Sequence, residues 1–527
     1  MYNGITADLP CGTAGLNSNS NTYQVPINNL VKANNLRYDG FAWRKAPGLK
    51  KFNSVAVTGT NLEGYDWRPS SGTQKQVTVW DSGFVYKESG GVINAVTLAS
   101  GIAPTGPVTL VAGANFSADS DKHLYLFANG VAPLELVADG ATMNPITAES
   151  ADWSVDKPGM AINHDARIVA SDVASFPHSL YFSSLDDNGN FDGDDSRVFD
   201  VNPGVGDGIR ACWSYATNQL LVFKYPYGIW SVDTSDLTGF YIPITKIRDD
   251  VGIAGPHALA KVGNDVFFIS ANGRILSLNT LVNGSEPKDA DLTAALYLGT
   301  FIKENVSASR LKHARLIYDE NRKELWYIFT STDGDINNMA LVFDFNDFSG
   351  QVKASVENRG NYFEAAWRHI GTDGFVELMF GGENGFVRQQ SINRSVDASI
   401  GYLTELQYPD TDFRFISDDI APKPKRFDMF EITVIPTGNY LITAQFYIDG
   451  QPTVTKTISV GADTAVFDSA VFDTDVFAGN TPIKHRVEID SVGVQFAVKL
   501  YNSNANEDFA IADAKVYFKP QSNDYEA

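Results

Sequence analysis

The chain has 527 residues, 63 Asp and Glu against 41 Lys and Arg, and a formal net charge of −22. This is long enough for two or three domains and too acidic to bind nucleic acid by phosphate neutralisation over its average surface. Two cysteines, Cys11 and Cys212, exclude a disulfide framework, and no run approaches the apolar length of a spanning helix.

Residues 1–60 carry Lys32, Arg37, Arg44, Lys45, Lys50 and Lys51 against Asp8 and Asp39, which leaves −26 for the rest of the chain. The opening MYNGITADLPCG has neither a basic nor an apolar targeting region, so the expectation is a soluble chain made in a cytoplasm, without a membrane anchor. Residues 12–24, GTAGLNSNSNTYQ, are small and polar and are expected to be either mobile or ordered only by a partner. Beyond them Leu30, Val31 and Leu36 form an apolar patch. It leads to a turn at Gly40, a strand with Trp43, and a stop at Pro47-Gly48.

Between residues 61 and 395 one unit recurs: an apolar strand, a turn containing Gly or Asn, and a second apolar strand. Copies such as QVTVWDSGFVYKE, HLYLFANGVAPLEL and DVFFISANGRILSL begin at or just after Gln76, Lys122, His178, Asn218, Asn264, Lys323 and Gly374, with steps of 46, 56, 40, 46, 59 and 51 residues. This spacing predicts an all-β chain built on a β-propeller of about six to eight blades. The first strand of each hairpin is the more apolar, as expected of an inner blade strand buried on both sides. Whether an N-terminal strand closes the ring with the last blade stays open.

Residues 396–527 change character. After SDDIAPKPKR the strands lengthen and alternate, which predicts a small antiparallel β-sandwich. Val-Phe pairs at 466–467, 471–472 and 476–477 recur with period five. Neither a strand nor a helix places them on one face. They read either as a loop plugging pockets of a neighbour or as local core fillers.

Chemistry-bearing motifs are sparse. The seven histidines, 123, 164, 178, 257, 313, 369 and 485, stand apart, with no HExxH and no pair at i,i+4. Each is expected to be a surface or strand-end residue. No GxSxG or GxxxxGK motif occurs, and the expectation is a protein that is not an enzyme. The best polar constellation is Asp186, Asn188, Asn190, Asp192 and Asp194, whose spacing could wrap oxygens around Ca²⁺, the one cofactor considered. With Asn188 as position 1 of an EF-hand loop, Gly193 falls at the sixth position, but Phe199 stands where the twelfth needs Glu. The competing reading is a solvated turn, since turns select the same residues.

Three segments carry a resemblance. LVKANNLRYDGFAWRKAPGLKKF from Leu30 resembles the opening of tail hub or nozzle proteins of short-tailed bacteriophages, through Leu30, Ala33, Asn34 or Asn35, Gly40, Arg44, Lys45, Pro47 and Gly48. VGIAGPHALAKVGNDVFFISANGRILSL from Val251 is similar to a blade of packaged-DNA stabilisation proteins, and PHSLYFSSLDDNGNFD at 177–192 to a blade common in such tail proteins. The resemblance implies a structural virion protein, usually a ring of six copies below the portal and adaptor. That ring would close the DNA channel after packaging and conduct the genome on ejection without reading its sequence. Its implied partners are further copies of itself, adaptor or portal-side proteins, tail fibre or needle proteins, and passing double-stranded DNA. Arg37, Trp43, Arg44, Lys45, Pro47, Lys50 and Lys51 would form a basic docking head on an acidic body. The alternative class is a carbohydrate-binding or carbohydrate-degrading propeller: a lectin, lyase or glycosidase.

Overall fold

The computed structural model describes residues 4–521 apart from 11, 20, 70–73, 115–121, 138–139, 147, 205, 207, 240, 347–350, 361, 372–373, 391–400, 436–439, 461–481, 505–506 and 509. The Val-Phe pairs at 466–477 and Cys11 lie outside the described residues. Among the described residues no helix is long and apolar enough to cross a membrane.

The chain is an all-β propeller joined to a β-sandwich. Seven blades are present among the described residues: residues 61–100, 108–145, 160–200, 208–248, 259–277, 315–358, and 365–390 completed by Leu49–Lys51. Each is an antiparallel sheet whose strands follow in chain order, the N-terminal outer strand of blade 7 apart, and many of the strands are joined by tight turns. At Gly130, for example, φ is +79°, a conformation that β-branched or bulky residues avoid. Blade 5 has three strands, and helices follow where a fourth would stand. The Ser277 hydroxyl caps Leu278–Val282 by accepting from Thr280 N, and Asp291 caps Leu292–Ala295 in the same way from Ala294 N.

The most apolar strand of a blade is the second from the axis, an inner strand buried on both sides as expected. Lys75–Trp80, Lys122–Ala128 and Glu324–Thr330 are buried almost throughout, whereas the innermost Asn61–Trp67 is buried only in part. A second strand has a partner on each side and a neighbouring blade on each face. The innermost strand turns one edge to the axis.

The ring closes at two places. Leu49–Lys51 pairs with Val387–Gln390 as the outer strand of blade 7, so an N-terminal strand does close the ring. Near the axis blades 7 and 1 meet: Ile370 N donates to Asp66 of the innermost strand at 2.9 Å, and Trp367 Nε1 to Gln76 Oε1 of the second strand at 2.7 Å.

The sandwich is not built from C-terminal residues alone. One sheet runs in the order 36–38, 43–45, 510–520, 425–435, 483–493, with Ile5–Leu9 also paired to Ala510–Pro520. The other is continuous with blade 6. The outer strand of that blade, Lys353–Asn358, pairs in parallel with Lys32–Asn34, and Thr404–Gln407, Phe496–Asn502, Leu441–Ile448 and Gln451–Ser459 follow. Nine strands thus form one sheet from propeller to sandwich. Phe413, Phe427, Phe430, Phe446, Phe496 and Phe518 fill the space between the two layers, with ring centroids as close as 4.5 Å. Residues 12–19, expected to be mobile or to need a partner, pack on this chain itself. Leu16 and Asn17 are buried, Leu16 N donates to Ala354 O, and Ser18 Oγ donates to Tyr297 O.

Candidate functional site

The strongest polar constellation lies at the propeller axis. The link from blade 5 to blade 6 contains a short 3₁₀ helix, Ala308–His313, in the run ASRLKHAR. Lys312 Nζ donates to Asp172 at 2.9 Å, beside blade 3, and to Asn129 Oδ1 at 3.2 Å, in a turn of blade 2. Arg310 reaches Glu364 at the entry to blade 7 (3.2 Å), and Arg315 reaches Glu63 in blade 1 (2.7 Å). His257, at the entry to blade 5, donates from Nε2 to Val108 O of blade 2 at 2.8 Å. A segment that touches blades 1, 2, 3 and 7 from between blades 5 and 6 must lie across the axis. Gly255 makes room for it, since a Cβ there would sit 2.1 Å from Lys312 O.

Electrostatics follow from this packing. Burial, then Arg310, Arg315 and Lys312, push His313 down to about 3. Burial, then Arg315, does the same to His257, also to about 3. Both imidazoles stay neutral at neutral pH. The positive charge of the segment is held by Glu63, Glu364 and Asp172, so the arrangement clamps blades together. His164 ends the strand Met160–His164, as a strand-end expectation has it, whereas His123, His257 and His313 sit in packed polar settings. His123 is buried against Glu135 at 2.6 Å, His164 is buried between Ser214 and Thr234, and His257 and His313 belong to the axis. The visible signal was four basic side chains within six residues, 310–315, in an acidic chain.

The seven predicted docking residues divide by burial. Arg37 is 4 % exposed; its Nε donates to Glu324 at 2.9 Å and its Nη2 reaches Glu357 at 2.7 Å. Arg359 holds the other Glu357 oxygen at 2.7 Å and donates to the Pro47 carbonyl. Trp43 is in the sandwich core, and Pro47 is buried. Lys45 is fully buried and donates to the carbonyls of Asn504 and Glu507, with its ammonium 4.4 Å from the Tyr402 ring centroid. Arg44 is half-buried and paired with Asp39. Burial therefore removes Arg37, Trp43, Lys45 and Pro47 from any docking face. Lys50 and Lys51 are exposed on the outer strand of blade 7, and Lys51 Nζ sits 3.8 Å from the Phe386 ring centroid.

The acidic loop is a braced turn. Asn188 is buried and its amide serves the backbone at both ends: Oδ1 accepts from Ala114 N at 2.7 Å, and Nδ2 donates to Ala166 O at 2.8 Å. Asn190 Oδ1 accepts from Asp192 N, while Asp186, Asp192 and Asp194 face solvent. Phe191 drives inward and packs 4.7 Å from Trp153 between blades 2 and 3. Among the described residues no group of three or more His, Cys, Asp or Glu could hold a metal ion. The donor set therefore does not fit Ca²⁺, because Asn188 turns its oxygen to the backbone.

No family model matches this chain, and no curated protein matches it. Solved structures similar to it include BBS1N in complex with ARL6DN (12 % identity, TM-score 0.40, covering 65 % of this chain and 96 % of that one). Two others are BamB from Moraxella catarrhalis (10 %, 0.36, 65 % and 99 %) and the WD40 β-propeller domain of Doa1 (12 %, 0.40, 67 % and 100 %). The class of this protein, a β-propeller with seven blades among the described residues joined to a sandwich, rests on its own sheet order.

Proposed function

We propose that this chain is a structural component of a phage tail, a hub or nozzle subunit that assembles into a ring and conducts the genome, and that it is not an enzyme. The observation that carries the reading is the nine-stranded sheet that makes propeller and sandwich one body. A channel wall must keep its shape while DNA passes. Here the wall is braced by that sheet, by the Arg37 clamp and by the segment across the axis. The three tail-like sequence segments and the acidic body support the same reading. With Arg37 and Lys45 turned inward, less positive charge is left on the surface than the sequence count suggests. Docking to neighbouring tail proteins then falls to Lys50, Lys51 and the exposed Phe41 at the tip of the 36–45 hairpin.

The test is native mass spectrometry and electron microscopy of the purified chain, with duplex-DNA binding measured at moderate salt. The expected result is a closed ring, six copies by the resemblance, without measurable affinity for linear duplex. A Lys50→Glu/Lys51→Glu variant should fold normally yet join tails poorly. A monomer that binds or degrades polysaccharide would replace this reading with the carbohydrate class. Tight, salt-dependent DNA binding would overturn the acidic-wall account.

A further inference from the structure

Beside the segment that crosses the axis, a cleft of about 630 Å³ opens where blades 2, 3 and 4 converge, with Asn129, Asp156, Lys157, Asp172, Arg210 and Lys312 among its walls. Arg210 reaches it through an irregularity in the sheet. On the innermost strand of blade 4, Ile209 pairs with Lys224 and Ala211 with Phe223, the very next residue, so Arg210 has no opposite number. A bulge of this kind takes a side chain out of the alternation of its strand and re-aims it, and bulges gather beside functional sites.

The re-aimed guanidinium is under-used. Its Nη1 lies 3.6 Å from Asp172 Oδ1, too far for a hydrogen bond, and its Cζ lies 5.4 Å from the Tyr225 ring centroid. Among the described residues Arg210 donates no hydrogen bond. Arg167 and Arg315, which are more buried, each donate to at least two oxygens. The Arg210 side chain is 24 % exposed on the cleft wall, within reach of a ligand.

Asp172 does not neutralise it. The Asp172 Oδ2 accepts from Lys312 Nζ at 2.9 Å, so one carboxylate stands between two cations and leaves a positive charge in excess. Lys157 is matched by Glu149. Asp156 accepts from the Ser175 hydroxyl on the exposed side and forms no ion pair among the described residues. The wall is also held in place. The Asn129 amide donates to the carbonyls of Lys157 and Asp172 at 3.1 and 2.8 Å, and its oxygen accepts from Lys312 at 3.2 Å. A rigid wall loses little entropy when a ligand arrives.

We infer that this cleft binds a carboxylate joined to a short apolar body, with the Arg210 fork as its main donor and the remaining N–H of Lys312 as its second. The open groups at this end of the cleft are donors with one positive charge in excess, so the ligand is an acceptor and a monoanion. A carboxylate holds two oxygens in one plane, the shape that a guanidinium fork matches. A phosphate dianion would bring a second negative charge to a cleft that already holds Asp156 and Asp172. Val155, 81 % exposed, and Pro177 line the remainder and give an apolar body a surface to lie on. The carboxylate can belong to a free organic acid or to an acidic side chain of a polypeptide. This inference does not depend on the tail reading.

The probes are sodium 4-methylpentanoate for the free acid and N-acetyl-glutamate methylamide for the side chain. Each is titrated into the full chain by calorimetry at constant ionic strength, with 4-methylpentanamide and inorganic phosphate as comparisons. One saturable site per chain is expected for a carboxylate probe, none for the amide, and weaker binding for phosphate. Either carboxylate binding more tightly supports the site and identifies the source. Arg210→Met keeps the stem and removes the donors, and should weaken binding about tenfold, the order expected for lost hydrogen bonds to a charged group. Because Arg210 donates to nothing in the fold, the variant should keep its urea midpoint. If it does not fold, Arg210→Lys serves: it keeps the charge, loses the fork, and should weaken binding about threefold. Absence of saturable carboxylate binding, undiminished binding by the folded Arg210 variant, or tighter binding of the amide or of phosphate would each overturn the proposal.

Discussion

Trp367, on the innermost strand of blade 7, occupies the space that a side chain at Gly64, on the innermost strand of blade 1, would need. A Cβ at position 64 would come within 2.4 Å of the indole. Neither residue is near the other in sequence, and their contact is the inner seal of the ring. Gly64→Ala should lower stability by about 1–3 kcal/mol through overpacking. In a urea-unfolding cycle, Trp367→Leu should make the Gly64→Ala change cheaper, because the two share one volume. Strict additivity would show that the ring does not close through this pair.

Arg37 is the cation for two buried carboxylates, Glu324 and Glu357. Replacing it with Met leaves both without it, and the expected loss is about 3–5 kcal/mol. Removing the acids as well, in an Arg37→Met/Glu324→Gln/Glu357→Gln variant, should recover most of that loss. Denaturant midpoints of the single and triple variants check this. A midpoint unchanged by Arg37→Met would mean that the N-terminal segment is not part of the folded unit.

The 186–194 loop should be indifferent to calcium. Its bracing comes from Asn188, so Asn188→Ala is expected to destabilise by about 1–3 kcal/mol, leaving Ala114 N and Ala166 O without their partner. Thermal melts with EGTA and with CaCl₂ should superimpose, in the parent and in the variant. A calcium-dependent rise in Tm, which mass action would produce for a native-state ligand, would restore the metal reading.

Stability should fall in mild acid. His257 and His313 have folded-state values of about 3, below the ordinary 6.5, so the unfolded chain binds protons there that the folded chain does not. Their contribution is whole above about pH 6.5 and is lost as pH falls toward 3. The groups facing them are Glu63, Glu364, Arg310, Lys312 and Arg315. Asp344 acts in the opposite sense. Its raised value favours the folded state below the ordinary carboxylate range, an advantage lost as pH rises through about 6. The net expectation is a loss of roughly 2 kcal/mol between pH 7 and 5. A His313→Gln variant should show a shallower slope. An equal slope would place the acid sensitivity elsewhere.

Much of the architecture was legible in the residues themselves. A hairpin such as LYLFANGVAPLEL announces its two strands by apolar content and its turn by Asn129-Gly130, because strand period and positive φ are local properties. The longer strands of 425–435 and 441–448 marked the sandwich in the same way. What local pattern could not carry was partnership. Leu49–Lys51 is three residues long, and nothing within it says that its mate is Val387–Gln390. The same holds for Lys32–Asn34, which joins blade 6 to the sandwich. Charge was misread for a related reason. Arg37, Lys45 and the basic run 310–315 count as surface charge in a sequence. Whether a charge faces water or a buried carboxylate depends on residues such as Glu324, Glu357 and Glu63, brought from far along the chain. A carboxylate row in blade 6, Asp319–Glu324–Asp344, exists only because strand register aligns three acids that lie up to 25 positions apart. Register is settled by the packing of whole strands against their neighbours, and only the folded chain holds that information.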